Sequence, residues 1–244
     1  MRIGLSNKWN SLTTGIAHIA LLAFVSAAAC VQAHAQEQKP LYPAMAAIEK
    51  YLSPDEQSEI ALARSAAPAS ISGDAEVMVF GRDGYATAVK GSNGFVCIVE
   101  RSWAVATVHP EFWNPNIRSP NCFNAAAART FLSIYLMKTR LVLAGKSRPE
   151  ILAATSSALD KKDLPELEPA AMCYMMSKQQ YLNDDAHSWH PHVMFLVPSI
   201  AAKSWGANLT DSPVLAASDP EERVTIFMIP VGNWSDGSLA PHSP

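Results

Sequence analysis

In AEVMVF-GRDG-YATAVK-GSNG-FVCIVE, residues 75–100, three runs rich in Val, Ile, Tyr and Phe are separated by two glycine-bounded tetrapeptides. Gly81-Arg82-Asp83-Gly84 and Gly91-Ser92-Asn93-Gly94 are made of residues that tolerate positive φ and tight turns. The pattern predicts a β-meander with strands at 75–80, 85–90 and 95–100. The Arg-Asp-Gly triplet within the first turn has no supporting context as an adhesion motif, and turn chemistry accounts for it.

Working outward, 43–51 (PAMAAIEKY) and 54–64 (PDEQSEIALAR) read as two short helices, with Ser53 as N-cap and Pro54 at the first position of the second. Residues 65–73 form an Ala/Ser/Pro linker. From 101 to 121 the chain is irregular, with Trp103, His109, Phe112, Trp113 and three prolines, a length that marks a functional or core-covering connection. Residues 124–145 carry apolar side chains at helical spacing and end at Gly145, and Ser147-Arg148-Pro149-Glu150 is a capping box opening a further helix to about residue 159.

Three more apolar runs, 171–177, 192–197 and 223–231, have strand length, and Pro230 in the last marks an edge strand or a strand end. The order αα-βββ-αα-βββ predicts an α+β fold, with an antiparallel sheet of about six strands in two groups of three and about four helices packed on one face.

The chain has 244 residues, 19 Lys plus Arg against 22 Asp plus Glu, and 49% apolar against 17% charged residues. That composition supplies a core and excludes disorder, collagen and coiled coil. A net charge of -3 without a basic run argues against a nucleic-acid partner. Residues 1–35 read as an export signal, with Arg2 and Lys8 before a short apolar segment at 15–25 and Ala33-His34-Ala35 as a cleavage site. The rest, 36–244, is expected to be a single periplasmic or secreted domain without a membrane span. Cys30 lacks the large aliphatic residue three places earlier that lipid anchoring would want.

Cys97, Cys122 and Cys173 remain after the signal. A disulfide between Cys97 and Cys122 would tie down the irregular connection, leaving Cys173 as a buried thiol.

The densest polar feature is Asp184-Asp185-Ala186-His187-Ser188-Trp189-His190-Pro191-His192. Pro191 holds His190 extended, so His190 and His192 project to one side at the mouth of a strand. Two such imidazoles with a third ligand, His187 or an aspartate, are a candidate Zn²⁺ site with an open position. Asp184 and Asp185 are the candidate catalytic bases of the corresponding metal-dependent hydrolase, and Glu100 and His109 are candidate distant partners. Loop tryptophans, Trp103, Trp113 and Trp189 among them, are candidates to line a small-molecule cleft.

There is no Gly-x-Ser-x-Gly, Ser-x-x-Lys, His-Glu-x-x-His, phosphate loop, GxGxxG or haem-attachment motif. The leading expectation is therefore an exported protein that binds a small molecule or metal through the His/Trp/Asp-rich loops. A hydrolase using His190 and His192, and a non-enzymatic envelope interaction protein, are the alternatives.

Overall fold

The three runs at 75–100 do form strands: β1 (Glu76–Gly81), β2 (Gly84–Val89) and β3 (Val96–Glu100). In the computed structural model, which describes residues 41–199 and 202–240, they do not form a meander. β1 and β2 make the hairpin, but the chain then passes beneath the start of β1 and β3 pairs parallel to β1 on its far side, Val77 opposite Cys97. Gly91 makes the crossing feasible. A Cβ there would stand 2.1 Å from the backbone nitrogen of Glu76, so only glycine lets the two backbones approach this closely.

The remaining strands are β4 (Ser119–Phe123), β5 (Met172–Met175), β6 (His192–Pro198), β7 (Leu215–Asp219) and β8 (Val224–Pro230). They complete one eight-stranded mixed sheet in the order β2-β1-β3-β4-β5-β6-β8-β7, with β1–β3 its one parallel pair. The α+β class stands, whereas the expected six-stranded antiparallel sheet in two groups of three is corrected. β4 begins inside the stretch that reads as irregular, runs two residues past it, and joins the two groups by pairing with both β3 and β5. β7 is a short edge strand of small residues. Pro230 is the last residue of β8, which is paired on both sides, so it marks a strand end.

The helices cover both faces of the sheet rather than one. Strand alternation sends Val77, Cys97, Val99 and Cys122 to one face, where they pack on Ile60 and Ala63 of α1 (Glu56–Arg64), followed by the single turn α2 (Ala69–Ser72). Phe80, Ile98 and Phe123 face the other way, toward α3 (Ala125–Arg129), α4 (Phe131–Leu143) and α5 (Arg148–Asp160).

The helix expected at 43–51 reduces to a 3-10 turn at Ile48–Lys50. Asp55, not Ser53, caps α1 by accepting from the Ser58 N–H, and Ser53 donates to Glu59 instead. The helix expected at 124–145 breaks at Thr130 (ψ -75°), giving α3 and α4, and Gly145 follows with φ +73°. The Ser147/Glu150 capping box is present on α5.

Cys97 and Cys122 face each other directly across the β3–β4 register and are at disulfide distance, Cα atoms 4.0 Å apart. Cys173 is the free, buried cysteine of the described residues. The Cys97→Ala/Cys122→Ala protein is expected to lose about 3 to 4 kcal/mol in urea unfolding, the chain-entropy value for a loop of this length. The export signal read at 1–35 and Cys30 lie outside the described residues. No helix among the described residues is long and apolar enough to cross a membrane.

Candidate functional site

The polar loop before β6 is built around Asp184. Its carboxylate accepts from Tyr42 Oη (2.5 Å), Asn114 Nδ2 (2.8 Å) and Tyr181 Oη (3.0 Å), and its backbone N–H donates to Glu111 Oε1. The Tyr42 hydrogen bond, aided by those of Asn114 and Tyr181, holds the carboxyl below the usual aspartate range, and the same bond pushes Tyr42 up to about 12. With its oxygens engaged in three hydrogen bonds, Asp184 is a clasp between this loop and the 101–121 connection. Asp185 is exposed.

The histidines part company. His187, at φ +59°, is exposed and stacks on Tyr181, ring centroids 4.8 Å apart. His192 is 2% exposed, and its ring lies edge-on to Trp189 at 4.6 Å. Its Nδ1 lies 2.7 Å from the carbonyl oxygen of His190. A carbonyl only accepts, so Nδ1 carries the proton and Nε2 is the acceptor. Burial holds the His192 pKa below the ordinary histidine value, so the ring is neutral at pH 7.

Among the described residues no group of three His, Cys, Asp or Glu side chains is arranged to hold a metal ion. The expected set of His187, His190 and His192 therefore does not assemble.

The tryptophans divide similarly. Trp103 is fully buried between Tyr51 and Phe80 and donates to Thr139 Oγ1 (2.9 Å), while Trp113 packs edge-on against Phe112. Both clamp the long connection to the core. Trp189 alone of the three candidates Trp103, Trp113 and Trp189 borders the cavity described next.

That cavity, of about 380 Å³, lies on the α4 side of β3 to β8. The register explains its composition. Cys173 stands opposite Met194 and Met194 opposite Met228, while two residues along the strands Met175 stands opposite His192. Strand alternation points all of these to one face, together with Glu100, Ser119, Asn121 and Phe123 from β3 and β4. The loops add Trp189 and Leu182, and α4 adds Phe131. The walls are thus thioether, aromatic and aliphatic, with a few polar groups set into one sheet face.

Glu100 is the strongly perturbed carboxyl among these groups. It is 6% exposed, and Asn121 Nδ2 donates to its Oε2. Desolvation pushes its pKa up to about 8, and the Glu222 carboxylate adds to the rise. The Asn121 hydrogen bond and the positive charge of Lys138 oppose it without overcoming it. Lys138 is committed elsewhere, donating to Glu222 Oε1 (2.6 Å) and to the Val105 carbonyl (3.1 Å). Glu100 is therefore mostly protonated at pH 7.

Asn121 Oδ1 is buried with no hydrogen-bond partner in the protein. Burial, with the nearby Glu100 charge, raises the Cys173 thiol well above its ordinary value, so it stays protonated and is a poor nucleophile.

The cavity thus brings Glu100, His192 and Trp189 to one place and leaves out His187, Asp184, Asp185, Trp103 and Trp113. His109, the other expected distant partner, is exposed and accepts from the Glu111 N–H. Asn121 and the methionines escape sequence reading, because a polar residue in an unrecognised strand looks like a loop residue and a methionine looks like core. Comparison of the chain with protein-family models, with curated proteins and with solved structures finds no match.

Proposed function

We propose that this is an exported protein that binds a small, mainly apolar molecule in the cavity between the sheet and the Trp189 loop. The carrying observation is the cavity itself. It has a volume in the range of small-ligand sites, apolar and aromatic walls, and a few convergent polar groups, one of them with a strongly shifted pKa. The protonated Cys173 and the absence of an assembled three-ligand group among the described residues favour binding over nucleophilic or metal-assisted hydrolysis. Export is supported by the sequence of residues 1–35 and by the Cys97–Cys122 pair, since disulfides persist in oxidising compartments.

The neutral dye N-phenyl-1-naphthylamine, which brightens on leaving water, tests the cavity directly. The wild-type protein is expected to enhance its emission saturably. Met228→Trp, which places a larger ring in the space that Met228 borders, is expected to weaken binding at least about tenfold through overpacking of the site. Equal enhancement by both proteins would remove the cavity from the reading.

A further inference from the structure

We propose that the occupant of this cavity is an organic monocation, an amine or amidine on an apolar body, whose N–H groups face the Glu100 carboxyl. The inference rests on the cavity being a binding site and adds the chemical class of its ligand. No lysine or arginine lines the cavity. The buried polar groups contributed by its strands are weighted toward acceptors. Glu100 offers two acceptor oxygens once it ionises, Asn121 Oδ1 has no partner, and His192 has Nε2 as an acceptor because Nδ1 donates to the His190 carbonyl. The donor closest to the acid, Asn121 Nδ2, is already used on Glu100.

A carboxyl sunk in an apolar cavity without a counter-charge holds its proton, since isolated buried charge is costly. An ammonium brought in by a ligand supplies that counter-charge. Its hydrogen bonds to the resulting carboxylate are charge-assisted and roughly twice as strong as neutral ones. The charged and titratable groups around Glu100 fit this account. From α4, Lys138 is spent on Glu222; the Glu222 carboxylate disfavours a second anion nearby; Cys173 on β5 is protonated and His192 on β6 is neutral. Trp189, Phe123 and the thioethers of Met194 and Met228 supply polarisable walls for the body of such a cation. The proton balance is closed: on binding, the Glu100 proton leaves to solvent and the ligand keeps its own.

Calorimetry at pH 7 with three probes sharing one body, 2-phenylethylamine, 2-phenylethanol and phenylacetate, tests the proposal. Running each titration in phosphate and in MOPS, whose ionisation enthalpies differ and neither of which is a primary amine, counts protons. The amine is expected to bind about 30-fold or more tightly than the alcohol. It should release about one proton per chain, as linkage requires of an acid that ionises on binding, and phenylacetate should bind more weakly than either. Glu100→Gln is expected to abolish both the amine preference and the proton release while keeping alcohol binding. If that variant fails to fold, Met228→Trp serves instead and should lose amine binding.

Alcohol or phenylacetate binding as tightly as the amine would overturn the proposal, as would an amine preference that survives Glu100→Gln or, in its place, Met228→Trp. N-phenyl-1-naphthylamine separates this failure from that of the site. Dye bound in the cavity without amine preference sinks only the cation, whereas no dye and no probe bound sinks both.

Discussion

At pH 8 the Glu100→Gln protein is expected to be more stable than the parent by about 3 to 5 kcal/mol, and at pH 4 the two are expected to be nearly equal. An unfolded glutamate gives up its proton near 4.5, whereas Glu100 in the folded chain keeps it up to about 8. Between those values the folded state binds a proton that the unfolded state has released. The parent's stability therefore falls as pH rises, by about 1.4 kcal/mol per unit, and levels off above the folded value.

A glutamine has the shape and neutrality of the protonated acid and still accepts from Asn121, so the variant lacks this descent. Urea unfolding of both proteins at pH 4, 6 and 8 measures the difference, and every other titrating group cancels to first order. Parallel stability curves would show that Glu100 ionises in the folded chain as it does in water.

The second large effect concerns Arg101, the residue that follows Glu100 at the end of β3. Arg101 is fully buried and donates from Nε to the Tyr51 carbonyl (2.7 Å), from Nη1 to the Val99 carbonyl, and from Nη2 to both oxygens of Glu59 (2.8 and 2.9 Å). Its guanidinium carbon lies 5.0 Å from the centre of the Phe80 ring, and Glu59 is only 1% exposed. Arg101→Met is expected to cost about 3 to 5 kcal/mol, because it strands the Glu59 charge in the core with Ser53 as its remaining side-chain donor. Arg101→Met/Glu59→Leu should recover much of that loss, since replacing a whole buried pair by apolar side chains is often close to neutral. Urea midpoints of the two variants decide it. A double variant as unstable as the single one would mean that the carbonyl hydrogen bonds, not the stranded charge, carry the effect.

How much of this was legible in the sequence depended on whether one segment held the information. The three strands of 75–100 are written in their Val, Ile and Phe residues, and the α5 capping box in Ser147 and Glu150. Pairing is another matter. A glycine turn at 91–94 reads the same whether β3 returns beside β2 or crosses under β1, and what distinguishes the two is the passage of Gly91 against Glu76, so close that a Cβ would stand 2.1 Å from the Glu76 nitrogen.

β4 was hidden by the site it helps to build. Ser119 and Asn121 point toward the cavity side, and with Pro120 between them the segment loses the apolar pattern of a strand. Asp184 stood out as a base because it precedes a histidine cluster. Its role as a clasp depends on Tyr42 and Asn114, 142 and 70 residues away, which no local pattern reveals. Glu100 was recognisable as an acid at a strand end, but its placement near His192 needs the sheet order.

The most direct test of the central claim, an uncharged acid at the polar end of a ligand cavity, is ¹³C NMR of the glutamate side-chain carboxyls, with Glu100→Gln supplying the assignment. The Glu100 resonance is expected to titrate near pH 8 and to move to its ionised position at pH 7 when 2-phenylethylamine is added. A Glu100 resonance that titrates near the ordinary glutamate value and does not respond to the amine would contradict that claim.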